Sequence, residues 1–207
     1  MMIAFVLGIL LSYLIGSIPT AYIYGKLARG IDIRGHGSGN IGATNTFRVL
    51  GKWPGIFVLV CDILKGVAAV VAVSFILKIS GILSCAALGL AAVSGHNWTI
   101  FLNFKGGKGI ATSLGVLLGL AMSFPGLWPA LGLTLLVWVS VFMMTGYVSL
   151  ASMMAALALP VFVLSLHLSP EMAILSAVLC IFVIIRHKSN ITRLLSGTEN
   201  RVRFEKK

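Results

Sequence analysis

The chain has 207 residues, of which 58% are hydrophobic and a further 23 are glycine, whereas only 10% are charged. A soluble domain carries about 25% charged residues, and a chain this apolar would expose patches that aggregate in water. These numbers exclude a soluble globule and a disordered chain, so the sequence predicts an integral membrane protein. The remaining charge is one-sided, since 16 lysines and arginines oppose 5 acids and give a net charge of +11.

The apolar segments predict an all-α, polytopic membrane protein with about seven transmembrane helices. A spanning helix needs about 20 apolar residues, so seven of them leave no length for a second domain. Residues 1–207 are therefore expected to form a single membrane-embedded domain. The predicted spans are residues 3–24, 54–77, 82–101, 110–124, 127–144, 147–166 and 172–185. The fourth and seventh are short, and Pro54 suits the first turn of the second.

Positive charge predicts how these spans are oriented, because cytoplasmic loops carry an excess of lysine and arginine. Fourteen of the sixteen cations fall in the first loop, the third loop and the C-terminal tail, which lie on one side of a seven-span topology. They are Lys26, Arg29, Arg34, Arg48, Lys52, Lys105, Lys108, Arg186, Lys188, Arg193, Arg201, Arg203, Lys206 and Lys207. The N-terminus is therefore expected outside and the C-terminus in the cytoplasm.

Acids, cysteines and histidines are too scattered for several kinds of site. The five acids form no cluster that would hold Mg²⁺ or Ca²⁺, and the three cysteines form no C-x-x-C motif. No Ser-His-Asp set for nucleophilic catalysis is recognisable. Two ionisable residues, Asp62 and Lys65, lie three positions apart inside the second span. Ionisable residues in a span are candidates for a functional role, but the i, i+3 spacing favours a structural ion pair.

The first candidate site is the polar, glycine-dense stretch of residues 34–48. Glycines let backbone N–H groups converge on an anion, and a guanidinium is a planar fork suited to phosphate. A flexible linker would also be rich in glycine and serine, but it would not need asparagine, threonine and arginine. The stretch therefore predicts phosphate binding by Ser38, Gly39, Asn40, Thr44, Asn45 and Arg48.

The second candidate site is residues 95–112, where Gly106, Gly107 and Lys108 precede a predicted helix. A helix N-terminus favours an anion through its N–H groups and its dipole. It is not a Walker A loop, because Leu102 and Gly109 occupy the positions where that motif needs glycine and serine or threonine. Cytoplasmic topology alone accounts for Lys105, but it explains Lys108 less well. His96 is equally compatible with a structural and a functional role.

Two further stretches are weaker signals. Ser149 stands at a predicted helix start, where serine is usually a cap. His187 and Asn190 lie in residues 186–199, which an amphipathic basic tail on anionic lipid would also explain. All four stretches are expected at the cytoplasmic face, which implies a small, multiply anionic substrate and a lipid co-substrate or product.

At these stretches the sequence resembles the bacterial acyl-phosphate:glycerol-3-phosphate acyltransferases of the PlsY type, over essentially the whole chain. The family element S-G-N-x-G-A-T-N-x-x-R is complete at residues 38–48. The element G-H-x-x-P-x-F-x-x-F-x-G-G-K-G-[VI]-A-T occupies residues 95–112, with Thr99 where proline is usual. The element R-Y-x-S-L-x-S occupies residues 146–152, with Gly146 in the arginine position, and R-H-x-x-N-I-x-R-L-x-x-G-x-E is complete at residues 186–199.

This resemblance implies a seven-helix enzyme of the bacterial plasma membrane with its active site at the cytoplasmic face. The enzyme would transfer a fatty acyl group from acyl phosphate to glycerol-3-phosphate. The products would be lysophosphatidic acid and inorganic phosphate, in the first acylation step of phospholipid synthesis. Its partners would be these two substrates and membrane lipid, with no cofactor, metal ion or nucleic acid.

A residue-level hypothesis assigns catalysis to Lys108, Ser149, His187 and Asn190. The acyl-phosphate group would be held by Ser38, Gly39, Asn40, Gly106, Gly107 and Lys108, and glycerol-3-phosphate by Arg48, Lys108, Thr44 and Asn45. The substrate hydroxyl and carbonyl would be oriented by Ser149, His187 and Asn190. The proton would pass to a phosphate oxygen of the donor, and the rival hypothesis makes His187 the general base.

Two other classes of protein share part of this pattern. A membrane transporter of an anionic or phospholipid substrate would have the same spans and basic loops, but it would need polar groups that continue to the outer face. Apart from Asp62 and Lys65, the spans lack them. A non-catalytic scaffold at the lipid surface would need only a basic tail, not loops rich in asparagine and glycine.

Overall fold

The computed structural model describes residues 2–202, and every regular element in that range is helical. Eleven α-helices are described: α1 (Met2–Ser17), α2 (Thr20–Arg29), α3 (Ala43–Leu50), α4 (Lys52–Val70), α5 (Ala72–Ile76), α6 (Ile82–Asn97), α7 (Ile110–Ser123), α8 (Trp128–Thr145), α9 (Val148–Ser165), α10 (Pro170–Arg186) and α11 (Lys188–Leu195). Three of the predicted tail cations, Arg203, Lys206 and Lys207, lie outside the described residues.

Each of the seven predicted spans coincides with helix. Within residues 2–202, five helical segments are long and apolar enough to cross a membrane, and a sixth is added if α10 and α11, which meet at a 59° bend, form one span. The fourth predicted span corresponds to α7, a helix of only 14 residues. The all-helical membrane architecture is therefore confirmed, whereas the number seven and the orientation remain predictions.

A proline interrupts the helix within the first predicted span, although Met2–Arg29 still forms one segment long and apolar enough to cross a membrane. Residues 3–24 are predicted as one span, but α1 ends at Ser17 and α2 begins at Thr20. Pro19 has no N–H for a helical hydrogen bond, and its ring disfavours helical geometry at the preceding Ile18. The break leaves backbone carbonyl groups at the end of α1 to be satisfied by other donors. Pro54, as predicted, lies in the first turn of α4.

The helices group into two compact units, Met1–Pro125 and Gly126–Lys207. In the first unit, α4 packs mainly against α7, and α1 mainly against α6. Glycines allow both contacts: a Cβ atom on Gly115 of α7 would overlap the Ile63 carbonyl oxygen, and one on Gly16 of α1 would overlap the Ala92 carbonyl oxygen. Close backbone approach at small residues is the usual way in which helices associate within lipid.

A small apolar cluster fixes one end of the first unit. Its buried members come from α2, α4 and the loops that follow α2 and α6, and they are Ala21, Ile33, Ile41, Val58 and Leu102. Because Ile33 directly precedes one polar stretch, Ile41 lies inside it and Leu102 lies inside the other, both stretches are held at the same end of this unit. The second unit stacks α8 on α9 and α9 on α10.

Candidate active site

The loop before α3 is organised by the buried side chain of Asn45. Its Oδ1 accepts a hydrogen bond from the Ser38 N–H at 2.8 Å, and its Nδ2 donates to the carbonyls of His36 at 3.0 Å and Asn40 at 2.9 Å. A Cβ atom on Gly37 would overlap this Oδ1, and Gly37 has a φ of +60°. The Asn45 amide is thus used to shape the loop, and it places Ser38 and Asn40.

Three predicted phosphate ligands on this loop and on α3 present exposed side chains. Ser38 is exposed in the loop, and Thr44 and Arg48 are exposed on α3. Thr44 and Arg48 are four residues apart, so they lie one above the other on the same helix face. Asn40 is half-buried, and its Oδ1 accepts from the Gly42 N–H at 2.9 Å. The Thr44 hydroxyl and the Arg48 guanidinium therefore share an exposed helix face that suits an anion.

The Gly106–Lys108 loop wraps against the end of α6. The Gly107 N–H donates to the His96 carbonyl at 2.9 Å, and a Cβ atom on Gly107 would overlap His96 Nε2. Gly109 then takes a left-handed conformation, with φ at +76°, and starts α7. Lys108 is half-buried in this loop, whereas Lys105 is exposed. The half-buried position just before a helix N-terminus gives Lys108 an environment that Lys105 does not have.

Buried polar groups lie beside the start of α7. Asn97 is fully buried, and neither its Nδ2 nor its Oδ1 has a hydrogen-bond partner within the described part of the chain. A Cβ atom on Gly109 would lie 2.6 Å from Asn97 Oδ1, so this amide faces the helix start. Buried polar groups normally have hydrogen-bond partners. The unpaired Asn97 amide therefore offers a donor and an acceptor between the end of α6 and the start of α7.

In the second unit, Glu199 gathers two of the predicted catalytic residues. Its Oε1 accepts hydrogen bonds from Ser149 Oγ at 2.8 Å and from Asn190 Nδ2 at 2.6 Å, and its Oε2 accepts from Arg193 Nε at 2.7 Å. Ser149 and Asn190 are both buried. The carboxylate therefore joins the first turn of α9 to α11, and it orients both side chains.

The ionised form of Glu199 is expected to stabilise this junction down to acid pH. Burial alone would raise the pKa of the Glu199 carboxyl, but hydrogen bonds from Asn190, Ser149 and Arg193 outweigh it and hold the pKa below its ordinary 4.5. Because the folded pKa is the lower one, the stabilisation is complete above pH 4.5 and is lost as the pH falls through the lowered value. The difference in thermal midpoint between wild type and Glu199→Gln, measured in detergent, should shrink over that range. A difference that does not change with pH would contradict this assignment.

His187 lies buried at the bend between α10 and α11. Its Nδ1 is 2.8 Å from the Val183 carbonyl oxygen. Because a carbonyl can only accept, Nδ1 carries the proton, and the lone pair of the neutral ring lies on Nε2. This is the tautomer that a general base acting through Nε2 would need.

With this geometry in place, the family can be assigned. The family model described as glycerol-3-phosphate acyltransferase matches residues 6–197. The chain belongs to the glycerol-3-phosphate acyltransferase family. The family predicted from the sequence motifs is therefore confirmed.

Similar proteins cover the chain almost completely. The glycerol-3-phosphate acyltransferase of Fusobacterium nucleatum is 45% identical over 97% of this chain and 100% of its own length. The corresponding protein of Desulforudis audaxviator is 44% identical over 99% of this chain and 98% of its own length. The crystal structure of PlsY, an integral membrane glycerol 3-phosphate acyltransferase, in its glycerol 3-phosphate form superposes with a TM-score of 0.86 at 36% identity, covering 96% of both chains. Its lysophosphatidic acid form gives 0.83, covering 96% of this chain and 95% of that one.

Both departures from the motifs of this acyltransferase family have a structural counterpart. Thr99 Oγ1 donates to the Ser17 carbonyl at the end of α1, and the Thr99 carbonyl accepts from the N–H groups of Leu102 and Phe104. Thr99 thus holds the turn that a proline would shape.

The second departure, Gly146, makes room for the chain's C-terminal segment. The Val202 N–H donates to the Gly146 carbonyl at 2.9 Å, and the Arg201 guanidinium lies 6.0 Å from the centre of the Tyr147 ring. A Cβ atom on Gly146 would approach the Val202 carbonyl oxygen to 2.6 Å. This contact requires a residue without a side chain, and φ at Gly146 is +73°.

The structure also contains site residues that motif spacing alone does not identify. Glu199 is only the last letter of the fourth motif, yet it binds both Ser149 and Asn190. The sequence feature that could have pointed to Glu199 is the rarity of acidic residues, since the chain has only five among 207 residues. In the first unit, the predicted ion pair is confirmed, with Asp62 Oδ1 2.8 Å from Lys65 Nζ.

Proposed function

We propose that the protein transfers a fatty acyl group from acyl phosphate to glycerol-3-phosphate, with lysophosphatidic acid and inorganic phosphate as products. Its family supports acylation of glycerol-3-phosphate, and the two PlsY structures that it resembles are described as a glycerol 3-phosphate form and a lysophosphatidic acid form. The reaction places the protein at the first acylation of phospholipid synthesis in a bacterial plasma membrane.

One observation carries the proposal most directly. The apolar cluster of Ala21, Ile33, Ile41, Val58 and Leu102 holds the loop before α3 and the loop before α7 at the same end of the first unit. These two loops carry both predicted phosphate sites. A reaction whose two substrates are both phosphates needs two such anion sites, and a lipid-linked product suits a helical membrane domain.

The two phosphates are assigned to two neighbouring sets of residues that share Lys108. Ser38, Gly39 and Asn40, with Gly106, Gly107 and Lys108, are proposed to hold the acyl-phosphate group. Arg48, Thr44 and Lys108 gather the glycerol-3-phosphate. Asn45 has its amide committed to hydrogen bonds within the loop, so we give it the role of placing Ser38 and Asn40.

In the second unit, Ser149, Asn190 and His187 are proposed to orient the substrate hydroxyl and carbonyl. Glu199 fixes the first two through hydrogen bonds of 2.8 and 2.6 Å. A side chain held in this way loses little freedom when it meets a substrate, and this lowers the cost of reaching the transition state.

The chemical step needs no covalent enzyme intermediate. An acyl phosphate is an activated mixed anhydride, so the hydroxyl of glycerol-3-phosphate can attack its carbonyl directly. The new ester C–O bond forms as the bond from the carbonyl carbon to the phosphate oxygen breaks. The hydroxyl proton passes to the departing phosphate, which becomes basic as that bond breaks, and Lys108 stabilises the developing charge. His187, with its lone pair on Nε2, is the rival base.

The topology that accompanies this proposal has seven spans, an outside N-terminus and a cytoplasmic C-terminus. The short α7 and the bent pair of α10 and α11 supply the spans beyond the five that are long enough by themselves. One membrane-embedded domain, residues 1–207, contains the active site at its cytoplasmic face. Cytoplasmic loops rich in lysine and arginine support this orientation.

Purified protein supplied with acyl phosphate and glycerol-3-phosphate tests the function. We expect lysophosphatidic acid and inorganic phosphate in equal amounts, also in the presence of a metal chelator, and no product when acyl-CoA replaces acyl phosphate. Product from acyl-CoA would overturn the donor assignment. Glycerol-3-phosphate uptake into vesicles containing the protein, without any acylation, would favour the transporter instead.

A further inference from the structure

A buried ion pair on α4 remains outside the roles given so far. Asp62 and Lys65 are only 1% and 6% exposed, and their charged atoms are 2.8 Å apart. A buried ion pair adds little to stability compared with an apolar pair, because both charges must be removed from water. Ionisable residues inside a membrane span therefore call for a function beyond packing.

On one side, the pair binds the break between α1 and α2. Lys65 Nζ donates to the Ile18 carbonyl at 2.9 Å, and Thr20 Oγ1 donates to Asp62 Oδ1 at 3.3 Å. Ile18 and Thr20 flank Pro19, where helical hydrogen bonding is interrupted. Lys65 thus donates to a backbone carbonyl that lacks its helical partner, and Asp62 accepts from the side chain of Thr20 just after the break.

On the other side, the pair faces His96 near the end of α6. His96 Nδ1 lies 3.9 Å from Asp62 Oδ1, beyond hydrogen-bond distance, and both side chains are buried. The opposite edge of the imidazole lies against Gly107, since a Cβ atom there would overlap His96 Nε2. The His96 backbone carbonyl also accepts the Gly107 N–H at 2.9 Å. His96 therefore stands between the Asp62 carboxylate and the residue that precedes Lys108.

We propose that Asp62 and Lys65 are positioning residues that act through His96 on the Gly106–Lys108 loop. Asp62 packs beside the Nδ1 edge of the imidazole, and Lys65 pairs with Asp62 and donates to the Ile18 carbonyl at the break after α1. The ring and the backbone carbonyl of His96 then set the place of Gly107, and with it the Lys108 ammonium group and the start of α7. The inference rests on the proposed function, because that function assigns phosphate binding to the Gly106–Lys108 loop.

The functional consequence is a precise location for the phosphate-binding loop. Neither Asp62 nor Lys65 needs to touch a substrate. A shift of about 1 Å in a catalytic group can cost about 100-fold in rate. Loss of the Asp62 charge should therefore weaken phosphate binding and slow the reaction, even when the helices remain packed.

Asp62→Asn is the first variant, since asparagine keeps the size of the side chain and an acceptor oxygen for Thr20. We expect the KM for glycerol-3-phosphate to rise about 10-fold and kcat to fall, together with a lower thermal midpoint, because Lys65 is left buried without its counter-charge. The matched control is Ser12→Ala, because Ser12 is also buried and its Oγ has no partner within residues 2–202. This control should keep both kinetic constants. Unchanged constants in Asp62→Asn, or a loss of folded protein with a normal KM, would overturn the proposal.

A double-mutant cycle tests whether Asp62 acts through His96. His96→Ala should reproduce the higher KM, and His96→Gln should recover part of the loss because its amide can hydrogen-bond in two directions. The double variant Asp62→Asn/His96→Ala should be no worse than His96→Ala alone, since the two residues act in series. Additive losses would contradict the linkage. If Asp62→Asn does not fold, Asp62→Asn/Lys65→Gln leaves no lone buried charge and should show the same rise in KM.

Ligand binding separates this proposal from the proposed function. Glycerol-3-phosphate and inorganic phosphate should raise the thermal midpoint of the wild-type protein more than that of Asp62→Asn. If wild type is stabilised in this way but turns over no acyl phosphate, the proposed reaction fails and the positioning role stands. If wild type is active and both proteins are stabilised equally, the positioning role fails.

Discussion

Lys108→Ala is expected to abolish turnover of acyl phosphate. Lys108 is half-buried between glycines at the start of α7, where the helix dipole and the free N–H groups already favour an anion. Its ammonium is proposed to meet the phosphate from which the acyl group departs. Removing one preorganised group that stabilises transition-state charge costs about 100-fold to 1,000-fold in kcat.

Lys105 provides a matched control for this variant. It lies three residues earlier in the same loop, but its side chain is exposed. Lys105→Ala should retain kcat and KM within about two-fold, because exposed charges are strongly screened. The measurement is release of inorganic phosphate and lysophosphatidic acid by purified protein with matched thermal midpoints. A Lys108→Ala variant with near-normal kcat would refute the assignment of this loop to the phosphate.

The contrast between the two lysines shows what a sequence can say about a site. The positive-inside bias accounts for Lys105 but explains Lys108 less well, and the glycines on either side of Lys108 are a local signal that can be recognised without a structure. Their difference in exposure depends on how the loop packs on the end of α6, through the Gly107 contact with His96. That contact depends on tertiary structure, so spacing alone leaves both roles of His96 open.

Asn45 and Glu199 also show where prediction from the sequence ends. The sequence suggested a substrate contact for Asn45 that its hydrogen bonds do not favour, and it gave no indication of the contacts of Glu199. The density of polar residues predicted that Asn45 binds phosphate, but its amide holds the loop together through Ser38, His36 and Asn40. Glu199 is 50 residues from Ser149, and nothing local indicates their hydrogen bond. Hydrogen-bond partners distant in sequence are set by helix packing, which motif spacing does not encode.

The helices themselves were predictable because a helix must contain about 20 apolar residues to cross the hydrocarbon core of a bilayer. The prediction of one span over residues 3–24 agrees with the single apolar segment Met2–Arg29, but it did not anticipate the interruption of the helix at Pro19, although proline is a local signal for it. The helix contacts were not predictable, since any of the 23 glycines could have faced a neighbouring helix. Only the packing of α4 on α7 distinguishes Gly115, which touches a backbone, from Gly132, which has nothing within 4 Å.

Gly115→Ala is expected to destabilise the first unit strongly. The added Cβ atom would overlap the Ile63 carbonyl oxygen of α4, a backbone atom that cannot rotate away. Overpacking of this kind costs about 1–3 kcal/mol, and the helices would have to separate to relieve it. Because α7 begins directly after the Gly106–Lys108 loop, its displacement should also lower activity. The thermal midpoint and the fraction of monodisperse protein in detergent measure the effect.

Gly132→Ala makes the same chemical change on α8, where the new methyl group meets open space. Alanine favours a helix over glycine by about 1 kcal/mol, so this variant should match or exceed the stability of wild type. Both substitutions raise helix propensity, which favours stability, but only Gly115→Ala introduces a backbone overlap, which lowers it. Comparing the two variants therefore isolates the effect of the contact at Gly115. Equal midpoints for the two variants would show that α4 and α7 do not meet as closely as Gly115 and Ile63 indicate. In that case the start of α7 would also lose the support that the phosphate site requires.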